Sequence, residues 1–182
     1  MDAVRAAWAR IDAWLAEFAP VSAAALASPA EPAAVAATNL PDDLAAGLLC
    51  HDGLRTWTPL LPEGEPLSLA EVLEFRRIRL EVAADVDGFT VQPWNTEPWW
   101  HEQWWPCGGI DGTYQVIDQR PGAGGRVGIA PNSDAAGFSQ GWPSYGAYLA
   151  DVAGALERGR PVGLWYPTVV RGGELWWELT TE

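Results

Sequence analysis

The chain has few basic residues. It contains 11 Lys and Arg residues against 24 Asp and Glu residues, and its formal net charge is −13 at pH 7. Such an excess of negative charge repels phosphate backbones and anionic membrane surfaces. Direct binding to nucleic acid or to a membrane is therefore not expected, whereas a basic protein partner, such as a nuclease with a positively charged substrate site, would be attracted.

Cysteine, histidine and long apolar runs are also scarce. Cys50 and Cys107 are the only cysteines, too few for a disulfide framework. Together with His51 and His101 they do not form the spaced ligand pairs of a zinc site, so we expect no metal and no cofactor. The sequence shows no export signal, and no segment is long and apolar enough to cross a membrane, so we predict a cytoplasmic protein.

The Gly-rich loop 121–125 does not match a phosphate-binding motif. The third glycine of a dinucleotide fingerprint would fall at Val127, and a strand pattern follows where that fingerprint needs a helix. We interpret the loop as a wide turn between strands. Asp111 and Asp118 could act as acid and base if they met in a pocket, which leaves a small hydrolase as one alternative. Acids at turns and strand ends usually face water, however.

Tryptophan is abundant, with 12 residues, and each brings a large apolar surface and one N–H that needs a partner when buried. Five lie close together: Trp94, Trp99, Trp100, Trp104 and Trp105. Elsewhere we expect burial, namely for Trp8, Trp14, Trp57, Trp165 and Trp176. Trp99 and Trp100 lie beside Pro98 and Glu102, where exposed aromatic anchors ringed by acids would suit protein recognition. Tryptophan platforms for sugar rings make a carbohydrate-binding module the other alternative.

The centre of the chain predicts an antiparallel meander. Strands are expected over 103–107, 114–118 and 126–130, with Gly108, Gly109 and Gly112 supplying turn geometry. If 99–105 is extended, Trp100 and Trp104 point to one side and Trp99 and Trp105 to the other, so both faces of the strand would be covered. A short helical turn opening at Pro98 is the competing interpretation.

Helical patterns lie on both sides of this meander. Apolar spacing predicts a helix over 4–18 capped by Asp2, a helix from Leu40 to about 50–51, and a helix over 142–158. Ser68 and Glu71 form a capping box that opens a long helix ending near Asp85. Residues 21–37 are expected to be a linker followed by a short helix near Pro32, and 54–61 to be a strand.

A hairpin over 164–170 and 174–180, with Trp176 and Trp177 on opposite faces, completes the pattern. We therefore predict a single domain over 1–182 of the α+β class. It would have a mostly antiparallel central sheet, N-terminal helices, one long middle helix, and a C-terminal helix plus hairpin.

Several short motifs occur in the order typical of the SUKH superfamily, which holds yeast-type cell-wall assembly regulators and many bacterial toxin-immunity proteins. They are Leu40-Pro41-Asp42-Asp43-Leu44, His51-Asp52-Gly53, Leu60-Leu61-Pro62, Ser68-Leu69-Ala70-Glu71, Trp104-Trp105-Pro106, Ile117-Asp118 and Pro121-Gly122-Ala123-Gly124-Gly125-Arg126-Val127-Gly128. The resemblance covers about 4–158, and 160–182 would be an extension.

This resemblance implies a non-enzymatic α+β domain that binds another protein. Such a domain would act as an immunity protein that neutralises a cognate toxin, for example a basic toxin domain, or as a related regulatory adaptor. The partner would bind a concave face made by the central sheet and the aromatic loop. The candidate partner-binding residues are Trp99, Trp100, Glu102, Asp111 and Asp118, with tryptophans supplying buried contact and acids the association rate.

Overall fold

The computed structural model describes residues 1–62, 64–85 and 97–180. It confirms the predicted α+β class with a mostly antiparallel sheet, N-terminal helices, a long middle helix, and a C-terminal helix plus hairpin. The helices are α1 (Asp2–Phe18), α2 (Pro20–Ala25), α3 (Pro32–Ala36), α4 (Asp42–Leu48), α5 (Leu69–Asp85) and α6 (Tyr145–Arg158). The strands are β1 (Glu65–Pro66), β2 (Trp104–Ile110), β3 (Thr113–Asp118), β4 (Val127–Ala130), β5 (Gly137–Trp142), β6 (Trp165–Val170) and β7 (Glu174–Leu179).

Five strands form one antiparallel sheet in the order β1-β2-β3-β4-β5. The predicted meander corresponds to β2, β3 and β4, while β1 and β5 extend it on either side. Gly108 and Gly109 were expected in the turn, but they lie within β2. The turn is made by Asp111 and Gly112, whose φ angles of 48° and 77° are both positive, as two-residue hairpin turns require.

The sheet is covered on both faces. On one face, Cys107, Ile117 and Val127 join the core formed with α1, α4 and α6. On the other face, Trp104 and Val116 join a second cluster, against which part of α5 packs. Strand residues therefore alternate between two cores, so neither face of the central strands is open to solvent.

Helix α1 packs against α6 at the centre of the first core. Its buried side chains follow the predicted spacing: Val4, Ala7, Trp8, Ile11 and Leu15. Asp2 does not cap the helix, because it is the first helical residue and Met1 occupies the cap position. Part of the predicted linker is helical as α2, which Pro20 opens, whereas the short helix from Pro32 is confirmed as α3.

The capping box before α5 is confirmed. The Ser68 N–H donates to the Glu71 carboxylate at 2.8 Å, and the Glu71 N–H donates to Ser68 Oγ at 3.3 Å. Helix α5 ends at Asp85 as predicted, but only Val72 and Arg79 are fully buried along it. Leu69 and Phe75 are partly buried against the first core, and Leu80 and Ala83 are partly buried against the second.

Two other predicted elements differ. Residues 54–61 form no strand, since only Leu54 makes an isolated bridge, to Leu26. Trp142 ends β5, and the following helix α6 begins only after Ser144, whose hydroxyl accepts a hydrogen bond from the Ala147 N–H. Trp94 lies outside the residues that the structure describes. Within those residues, no helix is both long enough and apolar enough to span a membrane.

The C-terminal hairpin, β6 and β7, forms a separate two-stranded sheet. Its inner face is fixed to the N-terminal half of the chain. The Leu175 N–H donates to the buried Ser22 hydroxyl at 2.9 Å, and the Trp177 indole N–H donates to the Leu60 carbonyl at 3.2 Å. Trp177 is buried and Trp176 is exposed, so their predicted opposite orientation is confirmed.

Candidate functional site

Trp99 and Trp100 do not form exposed anchors. They are 7% and 6% exposed and belong to the second core, on the same side of the sheet as Trp104. The alternation expected over 99–105 fails here because the strand begins only at Trp104. Trp99 and Trp105 were both expected on the side opposite Trp104, but only Trp105 packs against the first core there.

Arg79 explains the burial of these tryptophans. Its guanidinium carbon lies 4.2 Å from the ring centroid of Trp99, 5.6 Å from that of Trp100 and 4.9 Å from that of Tyr114. Its N–H groups donate to the carbonyls of Gly112 and Pro131. Burial lowers the pKa of the Arg79 guanidinium, opposed by interactions with Tyr114. Through these contacts Arg79 connects α5 to Trp99 and Trp100 and to the β2–β3 turn.

Asp118 is fully buried, contrary to the expectation that a strand-end acid would face water. Arg120 donates to its two carboxylate oxygens at 2.9 and 2.7 Å, and Arg126 donates at 3.0 Å. Glu97 pairs with both arginines at 2.7 Å. Burial alone would raise the pKa of the Asp118 carboxyl, but the hydrogen bonds from Arg120 and Arg126 hold that pKa below its ordinary value.

This ion cluster organises the Gly-rich loop. The Asp118 carbonyl accepts a hydrogen bond from the Gly125 N–H at 3.2 Å, and its amide donates to the Arg126 carbonyl at 2.9 Å. The loop is therefore a wide turn between β3 and β4, as predicted. Two carboxylates neutralise two guanidiniums, so neither arginine is free to bind a phosphate or another external anion.

Two cavities flank the loop. One, of about 510 Å³, lies between the loop, the start of α4 and Ser144, and includes Asp42 and Asp43. The other, of about 400 Å³, lies beside Glu97, Arg120 and Arg126. Both cavities open next to the loop, where Arg120 and Arg126 are already ion-paired. They therefore present polar groups but no unpaired arginine that could bind an anion.

Glu102 and Asp111 are exposed, but they lie at opposite ends of the sheet. Glu102 precedes β2, at the same end as Asp118, whereas Asp111 forms the β2–β3 turn. The five residue steps of β3 separate these ends by roughly 17 Å at about 3.3 Å per step. The structure therefore does not bring the five predicted residues onto one surface, and Asp111 and Asp118 do not converge as an acid and base pair.

His51 and the cysteines are held in structural contacts. The two ring nitrogens of His51 lie 3.0 Å from the Ala27 carbonyl and 3.0 Å from the Asp12 carboxylate. Because both neighbours are acceptors, they favour the doubly protonated imidazolium. Burial raises the pKa of the Cys50 and Cys107 thiols, which disfavours a reactive thiolate. No cluster of three or more potential metal ligands occurs within 1–62, 64–85 and 97–180.

The C-terminal hairpin exposes several apolar side chains. Six of the 14 exposed large hydrophobic residues of the described chain fall within 164–179: Leu164, Tyr166, Val169, Val170, Trp176 and Leu179. Of these, Tyr166, Val170 and Trp176 lie on the outer face of the hairpin, opposite the buried Leu175 and Trp177. Register places Tyr166 opposite Glu178, Thr168 opposite Trp176, and Val170 opposite Glu174 on this face. Tyr166 and Trp176 are each 41% exposed. Tyr166 and Trp176 therefore share one solvent-facing surface with the exposed carboxylate of Glu178, whereas Glu174 is half-buried and accepts a hydrogen bond from Thr58 at 3.3 Å.

Sequence reasoning missed this surface although the signal was present. The strand alternation placed Trp176 and Trp177 on opposite faces, so one of the two had to be exposed in a two-stranded hairpin. Burial was nevertheless expected for Trp176, and also for Trp57, which is 60% exposed in the segment that forms no strand. Trp8 is buried, and Trp14 and Trp165 are partly buried against the first core, as expected.

Acidic residues outnumber basic ones, and many of the arginines are already engaged in contacts within the chain. All 11 basic residues are arginines. Among the described residues, five form ion pairs with carboxylates: Arg10, Arg77, Arg120, Arg126 and Arg160. Arg76 and Arg79 lie over aromatic rings. The net charge of −13 therefore resides on carboxylates that these arginines do not neutralise.

Comparison with known proteins does not assign the chain to a family. No protein-family model matches the sequence, and no curated protein matches it. The resemblance to the SUKH superfamily therefore stays a prediction from the order of its motifs.

Proposed function

We propose that this domain binds a basic protein partner through the outer face of its C-terminal hairpin. The observation that supports this most directly is that Tyr166, Val170, Trp176 and Glu178 are exposed together on one face. Tyrosine and tryptophan are the side chains that most often dominate binding energy at protein interfaces. Neighbouring carboxylates would attract a basic partner and fix its orientation.

The face is also rigid, which favours binding because little conformational entropy is lost. Leu175 and Trp177 anchor the opposite face of the hairpin in the core. The hydrogen bonds to Ser22 and Leu60 fix the position of β7. Tyr166 and Trp176 therefore present their apolar surface on a backbone that does not have to become ordered when a partner binds.

The biological role that best fits is that of an immunity protein that neutralises a cognate toxin, or of a related regulatory adaptor. The acidic charge and the aromatic face support protein binding, and the SUKH resemblance supports this class of role. A basic toxin domain, such as a nuclease with a positive substrate site, is the partner chemistry that this charge favours.

The test is affinity capture from native lysate at low and moderate salt, with identification by mass spectrometry. Wild type would be compared with the double variant Tyr166→Ser and Trp176→Ser, and with the matched control Trp57→Ser, which removes an exposed tryptophan outside the hairpin. Folding of all three proteins would be checked by circular dichroism.

We expect one basic, salt-sensitive partner to be retained by the Trp57→Ser control and lost by the double variant. With that partner purified, the double variant should bind at least about tenfold more weakly, the effect of removing one or two interface hot spots. Equal binding by the double variant would exclude the hairpin face. Retention on polysaccharide, or turnover of a metabolite, in place of a protein partner would favour the carbohydrate-binding or hydrolase alternative.

A further inference from the structure

A separate groove of about 390 Å³ lies between β5 and the start of the hairpin. Gly137, Gly141 and Trp142 line it on the sheet side, and Leu164, Trp165 and Leu179 line it on the hairpin side. Leu164 and Leu179 are 62% and 58% exposed. None of the side chains along the groove is charged, although 19% of the residues in the chain are.

Strand β5 is the terminal strand of the central sheet, so one of its edges has no neighbouring strand in the described sheet. Ser139, Gln140 and Gly141 are exposed along it. Exposed edges commonly contain proline or charged side chains, which prevent pairing with another chain. Gly-Phe-Ser-Gln-Gly-Trp, the sequence of β5, contains neither.

The other sheet edges differ from β5. Strand β1 at the opposite end has only two residues, one of which is Pro66. Strand β6 contains Pro167 at its centre, and proline cannot donate to an added strand. Strand β7 includes Glu174 and Glu178, and its Leu175 amide is already bonded to Ser22. Among the described strands, β5 is thus the edge best suited to accept another strand.

We propose that β5 and the groove together bind an extended peptide segment of a protein partner. The segment pairs with the free edge of β5 and places an uncharged apolar side chain in the groove. This inference rests on the proposed protein-binding function and adds a recognition mode to it. In such strand addition, main-chain hydrogen bonds supply affinity and pockets for alternate side chains supply specificity.

The lining decides which side chain the groove selects. A charged side chain entering it would lose water without gaining an opposite charge, which is unfavourable. Leu, Ile, Phe or Trp would instead bury apolar area against Trp165, Leu164 and Leu179. The partner segment is therefore apolar at the anchoring position, whatever its charge elsewhere.

Gly137 lines the groove and has room for a larger side chain. A Cβ atom built at Gly137 meets no atom within 4 Å, and its φ lies outside the left-handed region. Gly141 is unsuitable, because a Cβ there would lie 1.8 Å from the Val127 carbonyl oxygen. Gly137→Leu therefore adds a side chain beside the groove without forcing the strand to move.

The experiment selects random linear peptides displayed on phage against the full chain. Enriched peptides would be synthesised, and their affinities measured by isothermal titration calorimetry. The proteins compared are wild type, Gly137→Leu, the rim variant Leu164→Ser and the hairpin control Trp176→Ser. Leu164→Ser changes an exposed side chain, so it serves as a second test if Gly137→Leu does not fold.

We expect enriched peptides to share one apolar position. Replacing that residue by Lys or Glu, or introducing Gly137→Leu, should weaken binding by about tenfold, while Trp176→Ser changes affinity by less than about twofold. The absence of peptides above background, or equal binding to Gly137→Leu and Leu164→Ser, would overturn the groove assignment. Peptides lost only in Trp176→Ser would also overturn it, yet would support the hairpin face of the proposed function.

Discussion

The buried carboxyl of Glu65 should make the stability of this protein depend strongly on pH. Glu65 is 8% exposed, and its carboxylate accepts a hydrogen bond from the Leu60 N–H at 3.0 Å. Burial, only partly offset by that hydrogen bond, raises the pKa of Glu65 from 4.5 to about 7. Between these values the folded state binds more protons than the unfolded state, so the free energy of unfolding falls as the pH rises.

The size of the effect follows from the two pKa values. A difference of about 2.5 pH units, at roughly 1.4 kcal/mol per unit, corresponds to about 3 to 4 kcal/mol. The destabilisation is absent below the unfolded pKa of 4.5 and complete above the folded pKa of about 7. It is a substantial part of the ~5–15 kcal/mol that stabilises an ordinary domain.

Glu65→Gln tests this reasoning, because glutamine cannot ionise and its carbonyl can still accept the Leu60 N–H. Urea unfolding followed by tryptophan fluorescence at about pH 4 and about pH 8 gives the free energies of unfolding. We expect wild type to lose about 3 to 4 kcal/mol more than Glu65→Gln between these pH values. The exposed control Glu17→Gln should parallel wild type. Parallel curves for wild type and Glu65→Gln would refute the reasoning.

Two further predictions concern ion pairs. Burial lowers the pKa of His51, but hydrogen bonds to Asp12 and Ala27 raise it overall above 6.5, so this pair stabilises the protein below pH 6.5 and less as pH rises through the folded pKa. Asp12→Asn should therefore lower the His51 pKa in an NMR titration and cost about 1 kcal/mol only on the acidic side; an unchanged titration would contradict this. Asp118→Asn should cost about 3 kcal/mol near pH 7, because Arg120 and Arg126 lose a buried acceptor. The loss should shrink as pH falls through the lowered Asp118 pKa, and an equally stable variant by urea unfolding would exclude this role.

Much of the fold could be predicted from the sequence because local signals agreed with the final packing. The apolar spacing of α1 and the Ser68 and Glu71 capping box of α5 each depend on residues of a single helix. The turn before β7 likewise depends only on residues of its own hairpin. Strand β5 was missed because Gly137 and Gly141 weaken its propensity, and it is a strand by virtue of pairing with β4. Helix α2 was missed because its alanine-rich sequence has no amphipathic pattern.

The candidate site was harder to predict because the burial of its residues depends on arginines from other parts of the fold. Trp99 and Trp100 are buried against Arg79, and an arginine in a long charged helix gives no sign that it will be internal. Asp118 is buried because Arg120 and Arg126 reach it from both ends of the loop. The hairpin face could have been found from Trp176, since a two-stranded hairpin can bury only one face.

The attachment of the two chain halves has a consequence for the order of folding. The hydrogen bond from Leu175 to Ser22 closes 153 positions, and the ion pair between Arg10 and Glu157 closes 147. Closing a loop of that length costs roughly 4 kcal/mol of chain entropy, far more than a short turn. The meander and the hairpin can therefore form early, whereas α1 and α2, which also pack on each other, complete their packing only when α6 and β7 are in place.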